Sequence, residues 1–352
     1  MQVDAHSMKN HHDRRSQRWR SMNRRPRSVA FVAWGAVAGR SAEIAESLGG
    51  RAYTLFPPSD RRRPNVFMRY IIGSVLTILY LAREDPTAVI VTNPPAVLAL
   101  IGLGWTKLRG VPFALDSHPG AFGRQGDNIS ARLLRLHRFV ARHATVTLVT
   151  ADQWADMVQT WGGRGLVVHE APGFWECVRK HPRSAGVRIR ALLVARFAGD
   201  EPVEAAVGAA ALVPEIDLLV TGRLEDSPPG LVASAPPNVS FVGFLAAAEY
   251  QNLVSEVDIV VALTSEPTSV MRAAYEAVYA CKPLVISNWP LCRELFPSAV
   301  AVANNASAIA TGLRSAAGDI EGLEQLSLSA RAVQIDRWMS QLSALRAALG
   351  LP

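Results

Sequence analysis

The residues of this chain best suited to chemistry lie between positions 258 and 296. Residues 258–263 form an apolar run short enough to predict a buried parallel strand, and the polar segment 264–269 follows it. Residues 270–280 then have helical spacing. Because the N–H groups and the dipole at a helix N-terminus attract anions, this arrangement predicts an anion-binding site. The carboxylate of Glu276 is expected about two turns inside the helix.

The start of this helix is predicted from residue types. Thr268 or Ser269 is the expected N-cap, and the N–H groups of Ser269 and Val270 are expected to face a ligand. Glu266, within the polar segment, is a candidate catalytic acid. The alternative interpretation of Glu276 is an ordinary solvated helix residue.

Further polar residues follow other predicted strands. Asp116 and His118 come directly after the apolar run 111–115, where open α/β sheets place ligands. Either side chain is a candidate general base toward an acceptor hydroxyl. The alternative is a loop Asp and His that only make turn hydrogen bonds.

The first predicted strand, residues 29–34, is followed by a glycine-bearing turn. Gly35, Gly39 and Arg40 are candidates for contact with an acceptor or a phosphate. The turn lacks the GxGxxG pattern, so it is a weak dinucleotide signal.

Strands and helices alternate through both halves of the sequence, with a segment rich in Pro, Gly and charge between them. This alternation predicts an α/β protein with two doubly wound, Rossmann-like domains facing a cleft. The predicted boundaries are 29–172 for the first domain, 173–187 for the linker and 188–322 for the second domain.

The segment EPTSVMRAAYEAVYACKPLVIS resembles the nucleotide-recognition segment of the GT-B glycosyltransferases, especially family 4 (group 1). In that family a glutamate of this segment holds the nucleotide ribose, and Glu276 matches it. A second family glutamate lies eight positions earlier and contacts the donor sugar. Thr268 stands there in this chain, so the resemblance implies a changed donor-sugar contact.

A second departure concerns the donor diphosphate. The family places an arginine and a lysine after the first strand of the second domain. Arg196 matches the arginine, while Glu201 stands near the lysine position. Glu201 is expected to cap its own helix, and Arg223 is a candidate replacement cation.

The resemblance is more diffuse in the first half, where TNPP and DSHPGAFG are similar to segments of the same group. It implies that residues 29–172 bind the acceptor and that 188–322 bind the nucleotide sugar. It also implies that the C-terminal helix, within 323–352, packs back on the first domain.

Composition and charge limit which partners and which membrane segments the sequence predicts. Residues 1–28 hold eight Lys or Arg and two Asp, a charge of +6, so only +1 of the total +7 belongs to the rest. The basicity is therefore a property of a tail that we expect to be disordered, and no nucleic-acid partner is predicted. The apolar run 70–82 is too short to span a membrane and is expected to be a buried helix.

Cysteine usage indicates the compartment. The three cysteines show no metal-ligand spacing, which fits reduced thiols and a cytoplasmic protein. No DxD motif follows a predicted strand, so no metal and no cofactor are expected beyond the co-substrate.

An arginine stripe marks the predicted amphipathic helix 129–143. Its expected apolar face carries Ile129, Leu133, Leu136 and Val140. The stripe on another face consists of Arg132, Arg135, Arg138 and Arg142. It suits peripheral contact with the inner face of a membrane or with a lipid-linked acceptor. A solvated helix face is the alternative.

These observations favour a metal-independent glycosyltransferase that moves a sugar from a nucleotide-diphosphate sugar to an acceptor hydroxyl, for example on a lipid-linked or polysaccharide precursor. A non-catalytic GT-B partner subunit is the main alternative, since the second glutamate and the lysine are missing. A UDP-sugar epimerase on the same fold is less favoured, because the paired acids of that chemistry are not evident.

Overall fold

The computed structural model describes residues 28–35, 39–56, 65–123, 130–173, 175–177 and 186–352. The predicted disordered tail therefore lies outside the described residues except for Ser28. Most of the predicted linker lies outside them as well.

The first sheet has six strands in the order β2-β1-β3-β4-β5-β6. β1 pairs in parallel with both β2 and β3, and β5 pairs in parallel with β6. The strands are β1 (Val29–Trp34), β2 (Arg51–Leu55), β3 (Ala88–Asn93), β4 (Phe113–Ser117), β5 (Val146–Val149) and β6 (Gly165–Val167). β1, β3, β4 and β5 are buried along their whole length, as their continuous apolar sequences predict.

The second sheet also has six strands, in the order β12-β11-β10-β7-β8-β9. All five neighbouring pairs are parallel, so every strand ends at the same edge of the sheet. The strands are β7 (Ile189–Leu193), β8 (Ile216–Thr221), β9 (Val239–Gly243), β10 (Ile259–Ala262), β11 (Leu284–Ser287) and β12 (Val300–Val302).

Helices follow most of the strands. In the first half they are α1 (Gly39–Ser47), α2 (Val66–Glu84), α3 (Ala96–Arg109), α4 (Ala131–His143) and α5 (Asp152–Thr160). In the second half they are α6 (Val203–Leu212), α7 (Ala247–Glu256), α8 (Arg272–Tyr279), α9 (Pro290–Leu295), α10 (Ala306–Gly318) and α11 (Ile320–Ala348). The predicted α/β class, with two parallel and doubly wound sheets, is confirmed.

The described residues form two compact units. One ends at Asp116 and includes His143–Thr145, and the other consists of Ser117–Arg142 and Val146–Pro352. The domain boundaries predicted from the sequence, on either side of 173–187, stay a prediction. In the second unit the terminal helix α11 lies beside β6, and its Gln341 accepts a hydrogen bond from the backbone N–H of His169, at 2.9 Å.

Two helix faces differ from the prediction. The run 70–82 is helical but not buried, since most of its large apolar side chains are exposed. On α4 the predicted apolar face is confirmed at Val140, which is buried, and wrong at Leu133, which is 52% exposed. Ile129 lies outside the described residues, and His137 and Ala141 are buried although they were not predicted to be. The buried face includes a histidine because that ring finds partners in the tertiary structure, which hydrophobic spacing does not report.

The cysteine prediction is also corrected. Cys177 and Cys281 form a disulfide whose Cα atoms are 5.2 Å apart, although 104 positions separate them in the sequence. Cys292 is a free, buried thiol, and burial raises its pKa to about 11. Only one of the three cysteines is therefore the reduced thiol that was expected. None of the helices within the described residues is long and apolar enough to span a bilayer.

Candidate functional site

The carboxyl edge of the second sheet brings several predicted site residues into one row. Arg196 follows β7, Arg223 follows β8 and Glu266 follows β10. Because β10, β7 and β8 are neighbouring parallel strands, the three residues lie after adjacent strand ends. This is the edge at which open parallel sheets bind ligands.

Glu276 lies in the middle of α8, which follows the loop at the end of β10. Its Oε2 accepts a hydrogen bond from the Tyr250 hydroxyl at 2.7 Å, and its Oε1 accepts one from the Arg272 Nε at 2.6 Å. The residue is 8% exposed, so the two partners fix a nearly buried carboxylate. A carboxylate has about four lone-pair directions, so two bonds leave capacity for ligand hydroxyls.

The partners of Glu276 belong to a larger network. Arg272 also donates to the Glu170 side chain, Nη1 to Oε2, at 3.3 Å, and the Tyr279 hydroxyl donates to the Glu170 backbone carbonyl at 2.9 Å. Burial, followed by the charge of Glu276, raises the pKa of Tyr250 well above its ordinary value. Tyr250 therefore stays a neutral donor at physiological pH.

The sequence interpretation missed both partners of Glu276. The spacing of Arg272 and Glu276, four residues apart on one helix, is a readable signal for a helical ion pair. Tyr250 lies 26 positions away on α7, and nothing local marks its contact.

The loop between β10 and α8 is held by contacts on both sides. The Thr264 carbonyl accepts from the Trp289 Nε1 and from the Asn304 Nδ2, each at 2.8 Å. The Ser265 N–H donates to the Asp200 carbonyl at 2.7 Å, and the Glu266 N–H donates to the Thr264 hydroxyl at 3.1 Å. The position of Glu266 is therefore set by the surrounding fold.

The start of α8 differs from the prediction. The N-cap is Met271, which makes no side-chain cap bond, rather than Thr268 or Ser269. The Ser269 N–H donates to the Glu266 carbonyl at 3.2 Å, and the Thr268 carbonyl accepts from the Trp154 indole at 3.4 Å. The segment forms a turn before the helix, because its backbone groups bond within the loop and to other elements.

Glu201 takes a position that the sequence did not predict. Its side chain is 1% exposed, and its Oε2 accepts from the backbone N–H groups of Arg196, at 2.6 Å, and Ala198, at 3.2 Å. Its Oε1 accepts from the Arg196 Nε at 3.3 Å. Glu201 therefore caps the loop after β7 rather than helix α6. Its negative charge lies against Arg196, the residue that was predicted to bind the donor diphosphate.

Arg223 faces an aromatic ring. Its guanidinium carbon is 5.7 Å from the centre of the Phe244 ring, and Phe244 is 74% exposed after the end of β9. This is cation–π geometry, which holds the arginine at the same sheet edge. An exposed ring beside a cation is suited to stacking on a nucleobase.

The first compact unit brings together two other predicted residues. Arg40 and Asp116 form a buried ion pair, with Nη2 to Oδ1 at 3.1 Å, Nε to Oδ2 at 3.4 Å and both side chains at most 3% exposed. Both carboxylate oxygens of Asp116 therefore already accept hydrogen bonds from Arg40. Gly35 adopts a positive φ of 111° where the chain leaves β1, and Gly39 begins α1.

His118 lies at the start of a short 3-10 turn, and the neighbouring Ser117 contacts a second histidine. The Ser117 Oγ and the His137 Nε2 are 2.9 Å apart, and the His137 Nδ1 lies 3.0 Å from the Ala121 carbonyl. The geometry fits a neutral ring that donates to Ala121 and accepts from Ser117. Burial lowers the pKa of His137 to about 4, which keeps the ring neutral.

The clearest cavity lies elsewhere in the second unit. It has a volume of about 340 Å³, is lined by His169, Glu294, Arg337 and Gln341 among others, and includes none of the predicted site residues. We place the candidate site at the sheet edge rather than in this cavity, because the edge carries the convergent polar groups. Within the part of the chain that the structure describes, no cluster of side chains has the composition of a metal site.

Comparison with known proteins finds one matching family model and several solved structures with a similar fold. Residues 16–173 match the family described as Glycosyl transferase 4-like domain. No curated protein sequence matches the chain. Among solved structures the chain is similar to a sucrose-phosphate synthase from Thermosynechococcus elongatus, with 14% identity, a TM-score of 0.68, and coverage of 91% of this chain and 97% of that one.

Two other solved structures share the fold. HepE from Anabaena, solved in complex with UDP and glucose, has 14% identity and a TM-score of 0.68, with coverage of 91% and 99%. A putative UDP-N-acetylglucosamine 2-epimerase from Listeria monocytogenes has 10% identity and a TM-score of 0.57, with coverage of 86% and 91%. At these identities the likeness establishes the shared fold.

Proposed function

Because the chain has the GT-B fold of glycosyltransferases and its residues 16–173 match a glycosyl transferase 4-like domain, we propose that it transfers a sugar from a nucleotide-diphosphate sugar to an acceptor hydroxyl. The proposal places the nucleotide at the carboxyl edge of the second sheet. It places the acceptor at the loops of the first.

Glu276 is the observation that carries this proposal. Its carboxylate is nearly buried, is fixed by Arg272 and Tyr250, and lies on the helix that follows the β10 loop. A fixed carboxylate with spare lone pairs can accept two ribose hydroxyls at little entropic cost. Phe244 and Arg223, further along the same edge, would contact the base and the diphosphate.

The base of the donor is proposed from the neighbouring structure. HepE binds UDP, and the two chains share a fold over most of their length. We therefore take UDP as the first nucleotide to test. Catalysis would rest on positioning and on stabilising charge at the leaving diphosphate. Arg196, Arg223 and the N–H group of Val270 would supply that stabilisation, with Thr268 beside the donor sugar.

The acceptor hydroxyl needs a proton acceptor near the reacting sugar. The Arg40 ion pair occupies Asp116, so we favour His118 and Glu266 for this role. Gly35 and Gly39 would lie beside the acceptor.

A lipid-linked acceptor and peripheral membrane contact are finer parts of the proposal. All four arginines of the stripe on α4 (Arg132, Arg135, Arg138 and Arg142) are exposed, as a contact with anionic head groups requires. Transfer to a polysaccharide precursor at the inner membrane face is consistent with this surface.

The test is nucleotide binding by wild type, Glu276→Gln and Glu276→Ala. A ligand at 100 times its dissociation constant stabilises a protein by about 2.7 kcal/mol, which raises the melting temperature by several degrees. We expect a shift with UDP in wild type that exceeds the shifts with GDP and dTDP. Losing charge-assisted bonds of about 1.5–3 kcal/mol should weaken UDP binding roughly tenfold or more in Glu276→Ala.

Glu321→Ala is the matched control, since Glu321 is exposed in the first turn of α11, outside the proposed site. It should keep the wild-type shift. A UDP shift that survives in Glu276→Ala would remove Glu276 from the site. UDP-glucose hydrolysis or transfer should fall together with binding in both Glu276 variants.

One observation favours a second candidate, a non-catalytic GT-B subunit. Glu201 accepts hydrogen bonds from two backbone N–H groups of the loop after β7 and from the Arg196 side chain. It therefore places a negative charge at the point where a bound diphosphate would need a positive one. Under this alternative no nucleotide at millimolar concentration would shift the melting temperature.

A further inference from the structure

The outward face of α2 is apolar from end to end. Phe67, Ile71, Val75, Ile78 and Ala82 follow one another at spacings of three and four residues, so they form one stripe along the helix. All five are exposed, Phe67 by 71% and Val75 by 52%. Met68 and Leu79 widen the stripe on one side, at 43% and 60% exposure.

The inward face of α2 explains why the apolar stripe faces outward. Gly73 lies directly against the Trp34 ring, and the Trp34 indole donates to the Thr77 hydroxyl at 3.0 Å. Tyr80 stacks on Tyr53 with ring centres 4.1 Å apart. These contacts fix the rotation of the helix about its axis, so the outward apolar face follows from specific packing within the first compact unit.

The charges on α2 are mainly positive. Its three charged residues are Arg69, Arg83 and Glu84, and the Arg83 Nε lies 3.9 Å from the Glu84 Oε1. Arg69 and Arg83 belong to α2 itself, and the Arg83 side chain is 83% exposed. An apolar helix face bordered by arginines is complementary to a membrane surface with anionic head groups.

The dimensions favour a helix that lies on a membrane. From Phe67 to Ala82 the stripe runs about 22 Å along the helix. The helix does not meet the length and hydropathy of a membrane span. Long arginine side chains beside it can reach head groups while the apolar residues enter the acyl boundary.

A second copy of the chain is a less suitable occupant. Two copies of this surface would bring together Arg69 and Arg83 from each helix against only Glu84 from each, which opposes association. The stripe is also a convex ridge on one helix. A stable dimer usually buries about 800 Å² per partner with close shape complementarity.

We propose that the α2 stripe is a membrane-docking surface for anionic lipid bilayers. The stripe comprises Phe67, Met68, Ile71, Val75, Ile78, Leu79 and Ala82, with Arg69 and Arg83 as its cationic border. This surface is separate from the arginine stripe of α4, and the proposal does not depend on the nucleotide site.

The test is flotation with vesicles of equal parts phosphatidylcholine and phosphatidylglycerol, compared with vesicles of phosphatidylcholine alone. The variant Ile71→Glu with Ile78→Glu places two charges in the middle of the stripe, at positions that are 45% and 46% exposed. We expect wild type to float with the anionic vesicles, and the variant to lose at least about tenfold in bound fraction.

Leu326→Glu with Val333→Glu is the matched control. It adds the same charge at exposed apolar positions of α11, which are 50% and 57% exposed. The control should float like wild type. An unchanged melting temperature shows that each variant is folded, independently of nucleotide binding.

Three results would overturn the proposal. The first is that wild type does not float with anionic vesicles. If light scattering then shows a dimer that the α2 variant abolishes, the stripe is an interface between two copies of the chain. The second is an α2 variant that floats like wild type. The third is flotation lost only when the four arginines of α4 are changed to glutamine, which would assign the contact to that helix.

Discussion

At the scale of single residues, Glu201 most changes what the sheet edge can bind. It accepts hydrogen bonds from two backbone N–H groups that would otherwise face an anion, and it contacts Arg196. The Arg196 side chain is nevertheless 73% exposed, so part of its guanidinium remains accessible to a ligand. Glu201 therefore orders the loop after β7 and opposes a diphosphate at the same time.

Replacing this carboxylate should separate the two effects. In Glu201→Gln the loss of a negative charge beside the diphosphate should strengthen UDP binding about tenfold. The same change should lower stability by about 1–3 kcal/mol, because two partly buried N–H groups lose a charged acceptor. Isothermal titration with UDP and urea unfolding measure the two quantities.

Glu215→Gln is the control for this pair of measurements. Glu215 directly precedes β8, at the opposite edge of the sheet, and its side chain is 54% exposed beside Arg314. It should leave UDP affinity unchanged. Weaker UDP binding in Glu201→Gln would instead mean that Glu201 positions Arg196 for the donor.

At the scale of an element, two glycines in neighbouring helices should respond oppositely to the same change. Gly73, in α2, has no room for a side chain, since an added Cβ would lie 2.8 Å from the Trp34 ring. Gly104, in α3, is exposed, and its added Cβ would meet no atom within 4 Å. Helix propensity favours alanine at both positions.

Gly73→Ala should therefore destabilise the protein by about 1–3 kcal/mol, because overpacking outweighs the gain in propensity. Gly104→Ala should stabilise it by roughly 0.5–1 kcal/mol. Melting temperatures of the two variants and wild type measure both effects. An unchanged or higher stability of Gly73→Ala would mean that α2 does not sit on Trp34 as described.

At the scale of the whole molecule, the disulfide joins residues far apart in the chain. Cys281 directly follows the C-cap of α8, and Cys177 lies beside Trp175, which packs edge-on against the Tyr250 ring. The bond therefore connects the segment 175–177 to the helix that carries Glu276.

Reduction of this bond should lower stability. In the chain-entropy account, a closed loop of about 100 residues contributes about 4.7 kcal/mol, and measured values are commonly 2–4 kcal/mol. A phosphine reductant should therefore lower the melting temperature of wild type and leave Cys177→Ser unchanged. Alkylation followed by mass measurement should find one reactive thiol in the unfolded, unreduced chain, and three thiols would contradict the bond.

The sequence predicted local features well. Apolar runs marked β1, β4 and β10 in the sequence, and β1 begins and ends where predicted. The position of Glu276 on a helix after a buried strand was also predictable. Each of these features depends on neighbours along the chain, so hydrophobic period and turn residues report it.

Features that depend on distant residues were not predictable. The rotation of α2 depends on Trp34, and the partner of Asp116 is Arg40, 76 positions away. From the sequence, Glu201 was expected to cap its own helix. In the structure its carboxylate accepts from the N–H groups of Arg196 and Ala198 in the loop after β7.

The sequence by itself determined the alternation of strands and helices and the residue types at the strand ends. Only the tertiary structure decided which side chains meet there, which helix face is exposed and which cysteines pair. The physical reason is that secondary structure follows from local backbone preference and hydrophobic period. Side-chain pairing follows from packing between segments whose separation in sequence carries no information about their distance in space.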